Sequence, residues 1–187
     1  MKQKLLLCSL VILCVGFGFA EEAGKFGFLF KSSSIHSVGL SFNLTDRVTL
    51  RPSFGFSTNK NEFESQNSAD TKNNFYSVDL GLFYHFLKKD RFTAYSGLEV
   101  GYSYQKFERE ISGVVIQDSV EKKSGYMGNA ILGFQYNFNK HLAVFGEIAF
   151  GYQKTEYGYK DPIIISYPAE SITWGLSRSG FGIILYL

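Results

Sequence analysis

After residue 14 the chain contains no cysteine. Its two cysteines, Cys8 and Cys14, fall near the start, so the remainder can form no disulfide and no thiol centre. Three histidines, His36, His85 and His141, are scattered along the chain and offer no metal-ligand spacing; no metal and no other cofactor is expected. Net charge is also lacking. Setting aside Lys2 and Lys4 leaves 17 basic and 17 acidic residues, so no basic surplus speaks for a nucleic-acid partner. Beyond the first residues no apolar run is long enough for a membrane helix, and no amphipathic helical period competes with what is there instead.

What is there first is a leader pattern. Lys2 and Lys4 precede an apolar stretch, Leu5 to Val15, and small residues Gly18 and Ala20 stand before Glu21-Glu22. This predicts a signal peptide over residues 1–20 and a single domain over residues 21–187. The apolar stretch is short for a span of about 20 residues. Leu7 and Leu13 precede the cysteines where a lipoprotein signal would need a small residue, so lipidation is not expected.

The rest alternates. From Phe75 to Leu87 one face reads Tyr76, Val78, Leu80, Leu82, Tyr84, Phe86, and the other Ser77, Asp79, Gly81, Phe83, His85, Leu87. A period of two marks β-strands. Eight strands are predicted, at 24–31, 35–44, 47–58, 74–87, 91–108, 124–138, 141–157 and 171–187. Connections at 45–46, 88–90 and 139–140 are tight and polar, whereas those at 59–74, 109–123 and 158–170 are long and charged. Only the first hairpin, through Ser32-Ser33-Ser34, is short on the long-loop side. Short turns at one end and long loops at the other predict an all-β, eight-stranded, antiparallel up-and-down barrel.

Side-chain volume sets its orientation. The even-numbered face carries about thirty large apolar or aromatic residues over the first seven strands, and an eight-stranded interior accepts only a modest filling. That face must point outward. Gly39, Ser41, Asn43, Thr49, Ser53, Gly55, Gly81, Gly97, Gly101, Gly133 and Gly151 on the odd face suit a narrow lumen. So apolar an exterior cannot face water, but it can face lipid, with tyrosines and phenylalanines near strand ends as interfacial girdles. A soluble, lipocalin-like barrel has the same strand count but needs an apolar interior. The chain also lacks that family's Gly-x-Trp near the start; its one tryptophan is Trp174.

With these features the chain resembles the small outer-membrane β-barrels of diderm bacteria, of the OmpX and OmpA-transmembrane-domain type. The resemblance covers residues 21–187 and rests on the architecture and on the ending Ser179-Gly-Phe-Gly-Ile-Ile-Leu-Tyr-Leu187. It implies that Phe181, Gly182, Ile183, Leu185 and Leu187 form a C-terminal β-signal for the barrel-assembly machinery, with Leu187 where the family usually has phenylalanine. It further implies an outer-membrane location with both termini periplasmic, and contact with outer-membrane lipid and lipopolysaccharide-type lipids. A monomer is expected, without a peptidoglycan-binding domain.

The inward face carries Arg51, Asp79, Glu99 and Glu147, joined by Arg178 if the last strand keeps Phe181 outward without a bulge. Unpaired charges in a narrow lumen are costly, so these residues are expected to form a structural ion-pair network. Charged lumen residues that seal the barrel are also what the resemblance implies. A gated pore, with the same residues swapping partners, is the competing expectation. A lipid-A-modifying enzyme is another, since a deacylase and a palmitoyltransferase share this barrel size. Such chemistry needs a serine activated by an oriented histidine. His36, beside Ser34 and Ser37, is the only histidine near an accessible hydroxyl, and no acid adjoins it in sequence, so no catalytic residue is assigned. The working surface is expected in the long loops. The fifth strand continues toward Ile111, and Val114 to Val120 return from it; Ile164 and Tyr167 lie in an apolar patch between Pro162 and Pro168. Ile111, Val115, Ile164 and Tyr167 are therefore candidate contacts for an extracellular protein or surface ligand. The overall expectation is a non-enzymatic barrel that serves envelope structure or adhesion.

Overall fold

The computed structural model describes residues 26–33, 35–61, 70–111, 114–115, 121–158 and 169–187. The segment expected to be a signal peptide lies outside them, as do Ile164 and Tyr167. The strands are β1 (Phe26–Ser32), β2 (His36–Asn43), β3 (Val48–Asn61), β4 (Asp70–Lys89), β5 (Phe92–Ile111), β6 (Val114–Val115), β7 (Glu121–Asn137), β8 (Leu142–Gly158) and β9 (Ala169–Tyr186). All pairings are antiparallel, and β1 pairs with both β2 and β9, so eight strands close a ring. The two-residue β6 stands outside the ring and pairs with the end of β5, Glu110 opposite Val115 and Ile111 opposite Val114.

Local chemistry fixes the short-turn end. Thr45 Oγ1 accepts from the N–H groups of Arg47 (3.2 Å) and Val48 (3.0 Å), and Asn139 Oδ1 accepts from His141 (2.8 Å) and Leu142 (2.9 Å). Each side chain copies a backbone turn. Asp90 takes φ 52° in the turn between β4 and β5, a region that aspartate tolerates.

At the other end the strands run farther than the alternation predicted. β3 and β4 stay paired to the rung Asn61–Thr71, and β4 and β5 to Asp70–Glu110. Their outer parts carry Lys60, Lys72, Asn73, Asn74 and Glu108, and so lack the apolar period that marks a strand in sequence. β1 and β2 are the exception, with 7 and 8 residues against 14 to 20 in the rest of the ring.

Two irregularities shift side-chain parity. Phe86 is an extra residue between the rungs His85–Tyr95 and Leu87–Ala94. Ser177 is another, between Phe150–Leu176 and Ala149–Arg178. The expectation placed Arg178 inward if Phe181 stayed outward without a bulge; the strand does carry a bulge, yet Arg178 reaches the lumen and Phe181 faces outward. The bulge falls on the N-terminal side of Arg178, so Ile172, Trp174 and Leu176 face outward on even numbers and Phe181, Ile183, Leu185 and Leu187 on odd ones.

Between the two ends the exterior forms an apolar belt. Leu98 is 69% exposed, Phe150 60%, Trp174 73% and Phe181 70%. From Tyr76 to Phe86, at about 3.3 Å per residue and about 45° of tilt, the belt rises roughly 23 Å, close to the ~25 Å apolar band of an outer-membrane barrel. Aromatic pairs mark its borders. Tyr102–Tyr126 (5.2 Å between rings) and Tyr152–Trp174 (4.7 Å) lie toward the long-loop end, and Tyr136–Phe138 (5.2 Å) lies toward the short-turn end.

Candidate functional site

Side chains fill the lower lumen because glycines make room for them. Phe83 lies against Gly81 and Gly97, Tyr95 against Gly133, and Phe145 against Gly182, where any Cβ would collide with the ring. Two buried apolar clusters result. One contains Leu29, Ala143, Phe145, Ile184 and Tyr186. The other contains Phe83, Tyr95, Ile131 and Ala149.

Arg51, only 4% exposed, sits where these clusters meet. Its Nη1 donates to Glu147 Oε1 (3.0 Å) and to the Tyr95 hydroxyl (3.2 Å), and its Nη2 to Gln135 Oε1 (3.2 Å). Tyr95 donates to the same Glu147 oxygen at 2.8 Å. The guanidinium lies 4.7 Å from the ring centre of Phe83, 4.8 Å from that of Tyr95 and 5.2 Å from that of Phe145. Gln135 continues the network to Asn137 (2.7 Å) and to the Tyr186 hydroxyl (3.2 Å). A cation so enclosed is held by paired hydrogen bonds and ring faces.

A second charged layer lies above. Lys31 Nζ is 3.6 Å from both Glu99 Oε2 and Glu147 Oε2 and so bridges the layers. Arg178 pairs with Glu99, whose Oε1 also accepts from Asn129 Nδ2 at 3.3 Å. Ser177, placed inward by the bulge, donates to Asn129 Oδ1 at 2.9 Å. Asp79 accepts from Ser77 at 3.2 Å. Lys31, Arg51 and Arg178 thus face Asp79, Glu99 and Glu147, and the signs balance.

Higher still is a cavity of about 200 Å³, lined by Lys31, Ser37, Ser77, Asp79, Ser103, Asn129 and Arg178 among others. Its lining mixes these polar and charged side chains with Ile35, Phe75 and Met127, and it lies on the long-loop side of the lower layer.

Arg51, Asp79, Glu99 and Glu147 are all buried in the lumen, and Arg178 reaches it from β9. Lys31, Tyr95, Asn129 and Gln135 complete the network and were not singled out from sequence. All four share the odd parity of the inward face, so the signal existed. Lys31, however, only ends its predicted strand beside three serines, and Tyr95 is one aromatic among many. Phe181, Ile183 and Leu185 face outward on β9 with Gly182 inward, and Leu187 is exposed just beyond its end; Ile111 and Val115 lie in β5 and β6, where backbone alone is described.

Each histidine has a local polar neighbour. Buried His85 has its Nε2 3.2 Å from Thr49 Oγ1, and His141 Nδ1 is 3.2 Å from the Tyr186 carbonyl. His36 Nδ1 is 3.4 Å from Ser32 Oγ at the exposed rim, and no described carboxylate contacts it.

A closed antiparallel ring with an apolar, girdled exterior and a charged, plugged lumen defines an outer-membrane β-barrel. The chain belongs to the outer membrane protein beta-barrel domain family, which its residues 15–177 match. No curated protein matches the sequence. Among solved structures it is similar to a major outer membrane protein from Thermus thermophilus (9% identity, TM-score 0.52, covering 87% of this chain and 99% of that one). It is also similar to Neisserial surface protein A (15%, 0.47, 89% and 100%) and to the outer membrane protein OprG from Pseudomonas aeruginosa (15%, 0.47, 90% and 98%). At 9% identity the first likeness speaks to the fold alone, and at TM-scores below 0.5 the other two add nothing to it. Family and exterior together support an outer-membrane location.

Proposed function

We propose that the protein is a non-enzymatic outer-membrane barrel that serves envelope structure and presents its long loops at the cell surface for adhesion or ligand contact. The observation that carries this reading is the seal around Arg51: Glu147, Tyr95, Gln135 and three aromatic rings close the lumen in the lower half. A closed wall moves the working surface outward. β4 and β5, of 20 residues each, rise roughly 45 Å at about 45° of tilt, against an apolar band of about 25 Å. Both termini then lie in the periplasm, the signal peptide ends at Ala20, and Phe181 to Leu187 serve as the assembly signal.

Protease shaving of intact cells and heat-modifiability of the outer-membrane fraction test the placement together. Cleavage within residues 109–123 or 158–170 and a heat-dependent shift on gels are expected; recovery in the soluble periplasm ends the reading. Deleting either loop should reduce surface binding while the folded barrel persists. Unchanged binding removes the adhesive role and leaves the structural one. An altered lipid A profile between cells with and without the protein would favour the enzyme instead.

A further inference from the structure

We propose that the cavity above the charged layers is a binding site for a small organic amine, whose ammonium group bonds to Asp79 while a short apolar body lies against Ile35, Phe75 and Met127. The site lies within the lumen and does not depend on which end of the barrel meets the cell exterior.

Asp79 and Ser37 carry the assignment. They are only 4% and 6% exposed, yet Asp79 Oδ1 and Ser37 Oγ have no hydrogen-bond partner among the described residues. Both residues line the cavity. A buried acceptor without a donor is costly, and a buried carboxylate without a cation more so. The neighbouring cations are engaged elsewhere. Lys31 lies between Glu99 and Glu147, Arg178 pairs with Glu99, and Arg51 pairs with Glu147. Lys31 and Arg178 line the same cavity, but the glutamates answer their charge, and no described cation is within ion-pair distance of Asp79. Its one hydrogen bond comes from Ser77 to the other oxygen, Oδ2.

A glycine prepares the position. Gly101 shares rungs with Asp79 on one side and Met127 on the other. A Cβ there would collide with both Asp79 Oδ1 and the Met127 methyl. A charged acceptor and an apolar group therefore flank a single point of the cavity wall. An ammonium group has three donors and no acceptor, and the unpartnered oxygens of Asp79 and Ser37 can both accept from it. The bond to the carboxylate is charge-assisted. Size and lining favour an organic cation over a bare inorganic one. The cavity holds about 200 Å³, several times the ~30 Å³ share of a water molecule. Apolar walls with a few placed polar groups are how small-molecule sites are built.

Methyl NMR of the protein extracted from outer membranes into maltoside micelles tests this. Met1 and Met127 are the only methionines, and Met1 falls in the predicted signal peptide, so a ¹³C-methyl-methionine label places its reporter at the site. The probes are n-butylamine, charged at neutral pH, and 1-butanol, its uncharged counterpart. Wild type should give a saturable shift of the Met127 methyl with n-butylamine and a far weaker response to 1-butanol. D79N, with the heat shift of wild type, should bind the amine about tenfold more weakly, and S37A should lose less. Three results with wild type alone overturn the proposal: no saturable shift, an equal response to 1-butanol, or displacement of the amine by an equal concentration of potassium chloride. A folded D79N that binds n-butylamine as wild type does also overturns it.

Discussion

Removing the Arg51 guanidinium would leave Glu147 with Tyr95 and the more distant Lys31 as partners in a lumen closed to water. Breaking one side of a buried pair costs about 3–5 kcal/mol, whereas replacing both sides with apolar groups costs far less. R51L and E147L should each lower unfolding stability in lipid vesicles by about that amount, and R51L/E147L should fall well short of their sum. Additive losses in urea titrations would mean that the two residues act separately. A second test concerns space. A valine at Gly133 would drive into the Tyr95 ring, while one at Gly128 meets nothing within 4 Å. G133V should cost about 1–3 kcal/mol, and G128V, on the lipid face, should change stability little.

The strands could be read from sequence wherever one face met lipid. Val78, Leu80 and Leu82 alternate with Ser77, Asp79 and Gly81 because lipid and lumen lie on opposite sides of a thin wall. Beyond the girdle that contrast vanishes. Lys72 and Asn73 meet similar polar surroundings on both faces, so the outer rungs of β3 and β4 left no period to find. The charged positions were legible for the same reason as the strands. Their partners were not, because which side chains meet across a lumen depends on stagger around the ring. Parity in the last strand was legible with care. Trp174 and Leu176 point outward on even numbers, Phe181 and Ile183 on odd ones, and an extra residue must lie between. Deleting Ser177 should remove that extra residue and force one half of β9 to turn its apolar side chains inward. The deletion variant should show no heat-modifiable band in outer membranes; a normal band would mean that the bulge has moved elsewhere without harm.

For the whole molecule, the filled lower lumen predicts electrical silence. Purified protein in planar bilayers should give little or no conductance at moderate voltage, and steady channels of reproducible size would contradict the sealed lumen directly. The ring also differs from side to side. Most of its strands exceed the 9–11 residues that cross a bilayer at about 45°, but β1 and β2, at 7 and 8 residues, fall short. A cylinder cut lower along one edge does not stand upright in a film of even thickness. The surrounding lipid must thin beside the β1–β2 hairpin, or the barrel must lean until its short side is covered. The cell surface would then meet a slanted object, its tall β3–β5 wall raised and the hairpin sunk toward the acyl chains.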